Sequence, residues 1–131
     1  MLAFCTYCSA KKYYSEIAIP AIKLYDSDRI AKVFESAKEA DTTFVILSGK
    51  YGLVEPSEGI SYYDHLLLSS ETENHSDLIA SQIKSKNITG IVFFMKSVEK
   101  DKNLQAYLDC ISKACTKSSI PLKTSVENFQ D

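Results

Sequence analysis

Long apolar runs are missing from this chain: none approaches the ~20 residues that a membrane-spanning helix needs. No basic segment precedes the strand-like residues that begin at Leu2, so the expectation is no secretory signal, no membrane partner and a cytoplasmic location. An excess of one charge is missing too. Fifteen Lys and Arg against seventeen Asp and Glu leave a formal net charge of −2. That argues against a protein that coats duplex DNA with a broad basic face, but it leaves room for a local basic pocket. Glycine is scarce, four in all, and histidine numbers two. No repeat, low-complexity tract or domain linker interrupts the sequence. What is present is 131 residues, 45% hydrophobic and 24% charged. This is the makeup of one globular domain over residues 1–131, long enough to bury roughly two-thirds of its unfolded surface.

The four cysteines are Cys5, Cys8, Cys110 and Cys115. The first two form Cys-x-x-Cys, a spacing used by redox pairs and by half of a zinc site. A zinc site needs two more ligands. Cys110 and Cys115 fall five apart on a predicted helix and point about 140° apart, a poor geometry for one ion. Cys5 sits inside the first strand. The pattern therefore calls for no metal and no cofactor.

Apolar periodicity orders the chain. Leu2 to Thr6 reads as a first strand, and the lysine-rich stretch Cys8 to Tyr14 as the loop after it. Ile17 to Leu24 suggests a short helical turn around Pro20. Asp26-Ser27-Asp28 offers an N-cap, and Ile30, Val33, Phe34 and Ala37 recur at helical spacing, which predicts a helix over 28–40. Thr42 to Leu47 is a β-branched second strand. Residues 48–65 form a long connection with apolar Tyr51, Leu53, Ile60, Tyr62 and Tyr63 to bury, and His65 to Leu68 starts a short helix. Asn74 to Asp77 cap a helix that runs to about Lys86. Ile88 to Phe94 is apolar on both faces, as a central parallel strand is. Residues 101–117 form the last long helix, with Cys115 at a core position, and Leu122 to Val126 the fourth strand. The β-α-β-α-β-α-β order predicts a three-layer α/β/α domain with a mainly parallel four-stranded sheet and right-handed crossovers. In such a sheet the loops after the first and second strands meet at one end, with Lys96 and Ser97 as possible neighbours.

The segment Ser48-Gly49-Lys50-Tyr51-Gly52-Leu53 follows the second strand. Two glycines three apart permit a sharp turn and close approach of backbone to a ligand. They present a cation and an aromatic donor where open α/β sheets build sites. The plainer reading is a turn and nothing more.

Three segments together resemble a known family: Cys8-Ser9-Ala10-Lys11-Lys12, then Leu24-Tyr25-Asp26, then Ile46-Leu47-Ser48-Gly49-Lys50-Tyr51-Gly52-Leu53. Pro56 and Tyr62-Tyr63-Asp64-His65-Leu66 continue the match. They are similar to a small bacterial and archaeal domain family with a Cys-Ser-x-Lys-Lys loop and an Ile-Leu-Ser-x-Lys-Tyr-Gly-Leu segment. The peroxide-stress family YaaA carries a similar Leu-Ser-Gly-x-Tyr-Gly-Leu segment, and its members are linked to DNA binding. The first loop also resembles part of archaeosine synthase, in a domain similar to uracil-DNA glycosylase. There Tyr13, Ile17 and Pro20 stand where proline, serine and histidine are expected. The resemblance spans roughly residues 4–68. It implies a uracil-DNA-glycosylase-like α/β domain whose partner is a nucleobase, nucleotide or nucleic acid.

On that footing Lys12 or Lys11 can bind a phosphate, or act as an amine nucleophile once desolvated. Cys8 can act as a nucleophile beside a lysine. Asp64 can activate water or accept a hydrogen bond from a base edge. Ser9, Ser48, Gly49, Lys50 and Gly52 are candidate ligand contacts, and Tyr51 and Tyr63 candidate stacking surfaces. Against each stands a plainer role: solvated lysines, a strand-capping cysteine, loop-satisfying serines, packed tyrosines. His65 needs an orienting partner to be catalytic, and His75 reads as a surface residue. The expected activities are glycosidic cleavage or base transfer. The alternatives are a non-catalytic nucleic-acid binder in stress or defence, and a structural domain.

Overall fold

A computed structural model describes all 131 residues. Seven strands and four α-helices follow in the order β1 (Leu2–Tyr7), β2 (Ile19–Pro20), α1 (Ala21–Leu24), α2 (Asp28–Glu39), β3 (Thr43–Ser48), β4 (Gly52–Val54), β5 (Gly59–Ile60), α3 (Thr72–Ser85), β6 (Gly90–Met95), α4 (Leu104–Lys117) and β7 (Leu122–Val126). A 3-10 turn at Ser69–Glu71 leads into α3. The main sheet has five strands in the order β4-β3-β1-β6-β7. β1, β3, β6 and β7 run parallel, and β4 is antiparallel to β3. The protein is thus a mixed α/β domain with a mostly parallel sheet.

Parallel pairing puts the core in the middle of the sheet. β1 lies between β3 and β6, with Cys5 opposite both Val45 and Phe93, and all three are fully buried. A central strand flanked on both sides must be apolar on both faces, which is what Ala3 to Cys5 and Ile91 to Phe93 supply. α2 starts where the sequence places it: Ser27 Oγ accepts the Ile30 N–H. Its inner stripe is Ile30, Val33 and Ala37, all buried.

The expected four-stranded sheet is corrected to five by a hairpin inside the 48–65 connection. β3 turns at Gly49-Lys50-Tyr51 and returns as β4, with Ser48 paired to Gly52. Gly52 has φ 75°, the left-handed conformation that short hairpin loops demand. The rest of the connection pairs β5 with β2 in a separate two-stranded ribbon. His65 to Leu68 does not form the expected helix. Its amides are engaged elsewhere: Leu67 N–H donates to Tyr107 Oη at 3.1 Å and Leu68 N–H to Glu71 Oε1 at 2.8 Å. Helix α3 consequently begins at Thr72, ahead of the expected cap at 74–77.

Candidate functional site

The connections after β1 and β3 do meet. Cys8 N–H donates to Leu47 O at 2.9 Å, so the first loop leaves β1 alongside the end of β3. Arg29, from the first turn of α2, ties the junction down. One η nitrogen donates to Thr6 Oγ1 and to Tyr7 O, each at 2.6 Å, and the other to Cys8 O at 3.3 Å. Its guanidinium lies 3.6 Å from the centre of the Tyr7 ring. The residue is only 1% exposed, and Nε has no partner. Burial lowers the Arg29 pKa, against the pull of Tyr7 and Asp131.

Ser48 organises the hairpin turn. Its Oγ accepts the amides of Lys50 (3.1 Å) and Tyr51 (3.0 Å) and donates to Tyr63 Oη at 2.8 Å. The Tyr63 and Tyr25 hydroxyls are 2.6 Å apart, which completes a buried chain of three hydroxyls. His75 Nε2 donates to Ser48 O at 2.8 Å, so this histidine is a half-buried anchor of the turn, not the surface residue expected. From α3, Gln82 bridges the hairpin: its Oε1 accepts Leu53 N–H at 2.7 Å and its Nε2 donates to Tyr51 O at 2.9 Å. Gly49 is needed for close approach, because a Cβ there would lie 3.0 Å from both His65 O and Tyr107 Oη. Gly52 faces Gln82, which a Cβ would strike.

Above this turn lies an open cleft of about 520 Å3, lined by Gly49, Lys50, Tyr63, Asp64, His65 and Glu71. That volume is within the usual range for a small-molecule site. A second cavity of about 60 Å3 shares Asp64 and His65 with it and adds Cys8, Ser9, Lys12 and Tyr107. It has room for a few waters but not for a base. Lys12 and Lys50 have no carboxylate within 4.0 Å. The pairs that do form take Lys11, Lys38, Lys86, Lys113 and Lys117. Lys12 Nζ instead sits 4.6 Å from the centre of the Tyr63 ring, and Lys50 Nζ 5.2 Å from that of Tyr51.

The orienting partner for His65 is Glu71. His65 Nε2 lies 3.1 Å from both carboxylate oxygens, and Leu68 N–H fixes the same carboxylate. With Nε2 donating, a neutral ring leaves Nδ1 as a base. The Leu68 amide, assisted by His65 and opposed by desolvation, holds the Glu71 carboxyl below its ordinary range.

The fold therefore brings Cys8, Ser9, Lys12, Gly49, Lys50, Tyr63 and Asp64 to one place. Ser48 lies beneath them as a buried support. Other candidates sit elsewhere. Lys11 pairs with Asp26 on the surface at 3.2 Å, and Gly52 belongs to the turn. Lys96 and Ser97 line neither cavity. Tyr63 is 5% exposed and stands edge-on to Tyr51 and Tyr25, so its ring offers no free face for stacking. The open aromatic surface is instead Tyr14 with Tyr62, 5.3 Å apart and 73% and 40% exposed. Burial, with the nearby Cys8 adding to it, drives the pKa of Tyr25, Tyr63 and Tyr107 upward, which keeps these phenols protonated. Cys8 Sγ donates to Tyr107 Oη at 3.6 Å. Cys5 is fully buried and its thiol is pushed up by burial, as are Cys110 to about 12 and Cys115 to about 11. No three His, Cys, Asp or Glu side chains are grouped to hold a metal ion.

The family of unknown function DUF6884 matches residues 5–126, nearly the whole domain. The chain belongs to that family. No curated protein and no solved structure matches it. The matched residues of this DUF6884 domain include every group that lines the two cavities. No helix is long and apolar enough to cross a membrane.

The sequence pattern assigns no site role to Arg29, Glu71 or Gln82, and it places Tyr107 only on the inner face of the last helix. Arg29 carries a signal: with Val33 and Ala37 it forms an i, i+4, i+8 series on the buried stripe of α2. Tyr107 likewise falls on the inner face of α4. Glu71 holds the Leu68 amide three residues before it and the His65 ring, and Gln82 reaches the Leu53 amide and the Tyr51 carbonyl, and neither falls on an apolar stripe.

Proposed function

We propose that the domain binds a nucleotide, free or within a nucleic acid, in the cleft above the β3–β4 turn and performs glycosidic cleavage or base transfer there. One observation carries the reading. Lys50, free of a carboxylate partner, lines the cleft with the Asp64 carboxylate and the Glu71-held His65, and Lys12, likewise free, lines the small cavity that adjoins the cleft through Asp64 and His65. Ammonium groups suit phosphate oxygens, and a carboxylate beside an oriented imidazole suits proton transfer from water. In hydrolysis, Asp64 or His65 takes a proton from water as the water oxygen bonds to the anomeric carbon. The carbon–nitrogen bond breaks, and its electron pair leaves with the base, which then gains a proton. In base transfer an incoming base takes the place of the water. The resemblance to the YaaA-type segment and to a uracil-DNA-glycosylase-like domain supports the same substrate class.

Incubation with nucleosides, nucleotides, single-stranded DNA and tRNA, with chromatography for free base, tests the reaction. Wild type is expected to release base, with Asp64→Asn or His65→Ala at least 100-fold slower, the usual weight of a general base. Absence of free base from every substrate rejects catalysis. The second reading, a non-catalytic nucleic-acid binder, is favoured by the exposed Tyr14–Tyr62 pair, an open aromatic surface on which a base can stack.

A further inference from the structure

The two faces of the main sheet are covered unequally. One face carries Cys5, Phe93 and Met95 and is roofed by α3 and α4, which pack against each other. The Tyr7 ring, on that same face, lies 6.1 Å from Tyr107 of α4. The opposite face carries Phe4, Phe44 and Phe94. There α2 lies over β1 and β3, with Phe34 5.4 Å from Phe44. Nothing helical covers β6 and β7 on this side, where Val92 and Phe94 stay only half-buried. Neighbouring strands are ~4.8 Å apart and a helix with its side chains is ~10 Å wide, so one helix roofs about two strands. The strip without a helix is one helix wide, and the segment after β7 crosses its end, with Phe129 packed on the core and Asp131 accepting the Ser27 hydroxyl and the Arg29 amide at the start of α2. Six residues of β6 extend ~20 Å, the length of about 13 helical residues.

A groove of about 480 Å3 runs along this strip between α2 and the segment after β7, with Val33, Phe94 and Phe129 as its apolar floor. Its walls are acidic. Asp28, Glu35 and Glu39 stand on α2 and Glu127 on the segment after β7, four carboxylates against Lys32 in the lining and Lys123 on the same face of β7. The groove shares no residue with the cleft.

We propose that this groove docks an amphipathic helix of a partner protein, three to four turns long, with an apolar stripe flanked by lysine and arginine. The apolar floor asks for the stripe, and the carboxylates on both walls ask for cations on both flanks. The same charge disfavours other occupants. A second copy of this chain docked through a twofold axis would set four carboxylates against four, and an anionic lipid surface would be repelled likewise.

The probe is a 14-residue helix-forming peptide of lysine and leucine with its leucines on one face. The control is a permuted peptide of identical composition with no apolar face. Both are titrated into the full 15N-labelled chain. The ordered peptide is expected to bind saturably, to shift the amides of α2, Phe94 and Phe129, and to bind at least tenfold more tightly than the control. Glu35→Lys with Glu39→Lys, and separately Phe129→Ser, should each weaken it at least tenfold while the remaining amide spectrum stays in place. Equal binding of the two peptides would reduce the effect to bulk charge and overturn the proposal. So would shifts confined to other surfaces, or self-association of the free chain through α2 and Phe129, which would make a second copy the occupant.

Discussion

Ser48 shows how a residue can belong to a site without touching what the site binds. Its side chain is buried, accepts two turn amides and donates to Tyr63. Ser48→Ala removes the acceptor for both amides and should cost about 1–3 kcal/mol, read as a lower urea midpoint with unchanged slope. Gly49 has a comparable structural reason, since its missing Cβ lets the turn lie against His65 O and Tyr107 Oη. Glu71 adds a pH dependence. Its folded pKa is depressed below 4.5, so the stability it lends is present above pH 4.5 and is lost as pH falls through the folded value. Wild type should therefore lose more melting temperature between neutral pH and about pH 3 than Glu71→Gln does; equal losses would remove Glu71 from the account.

At the scale of elements, what the sequence disclosed depended on periodicity. β1, β3 and β6 announce themselves by apolar runs of four or more residues and the three long helices by i, i+4 stripes, whereas β7, Leu-Lys-Thr-Ser-Val, carries no apolar run and follows only from its place after the last helix. β4 and β5 do not. Their three and two residues are strands only because partners exist across the sheet and ribbon, and a pattern of period two needs more length to show. The Ser48–Leu53 segment could be read as a turn or as a ligand loop, and it is a turn that also presents Lys50 to a cleft. The lysines and Asp64 were visible as chemistry-bearing types on loops. Their convergence followed from parallel topology. The residues that fix the surrounding loops, Glu71 on His65, Gln82 on the hairpin and Arg29 on the end of β1, come from the 3-10 turn and from helices whose registers no loop motif encodes. Gln82 makes the hairpin depend on α3. Gln82→Ala should weaken it by about 1–3 kcal/mol, seen as faster amide exchange at Leu53 than at Val45 in the adjoining core strand. Unchanged protection at Leu53 would show that the β3–β4 pairing stands without the helix.

At the scale of the molecule, a chain with a net charge of −2 pairs five of its fourteen lysines with carboxylates and leaves Lys50 unpaired in the cleft and Lys12 unpaired in the cavity that adjoins it. Unpaired cations at the carboxyl end of a parallel sheet are where an α/β domain meets an anionic ligand. The most direct test is a titration of the 15N-labelled protein with a nucleoside monophosphate, in wild type and in Lys50→Ala. The account predicts saturable shifts at Lys50, Asp64 and His65 in wild type. In the variant it predicts affinity weaker by about tenfold, the equivalent of one charge-assisted hydrogen bond. Shifts absent from these residues, or an affinity indifferent to Lys50→Ala, would contradict it.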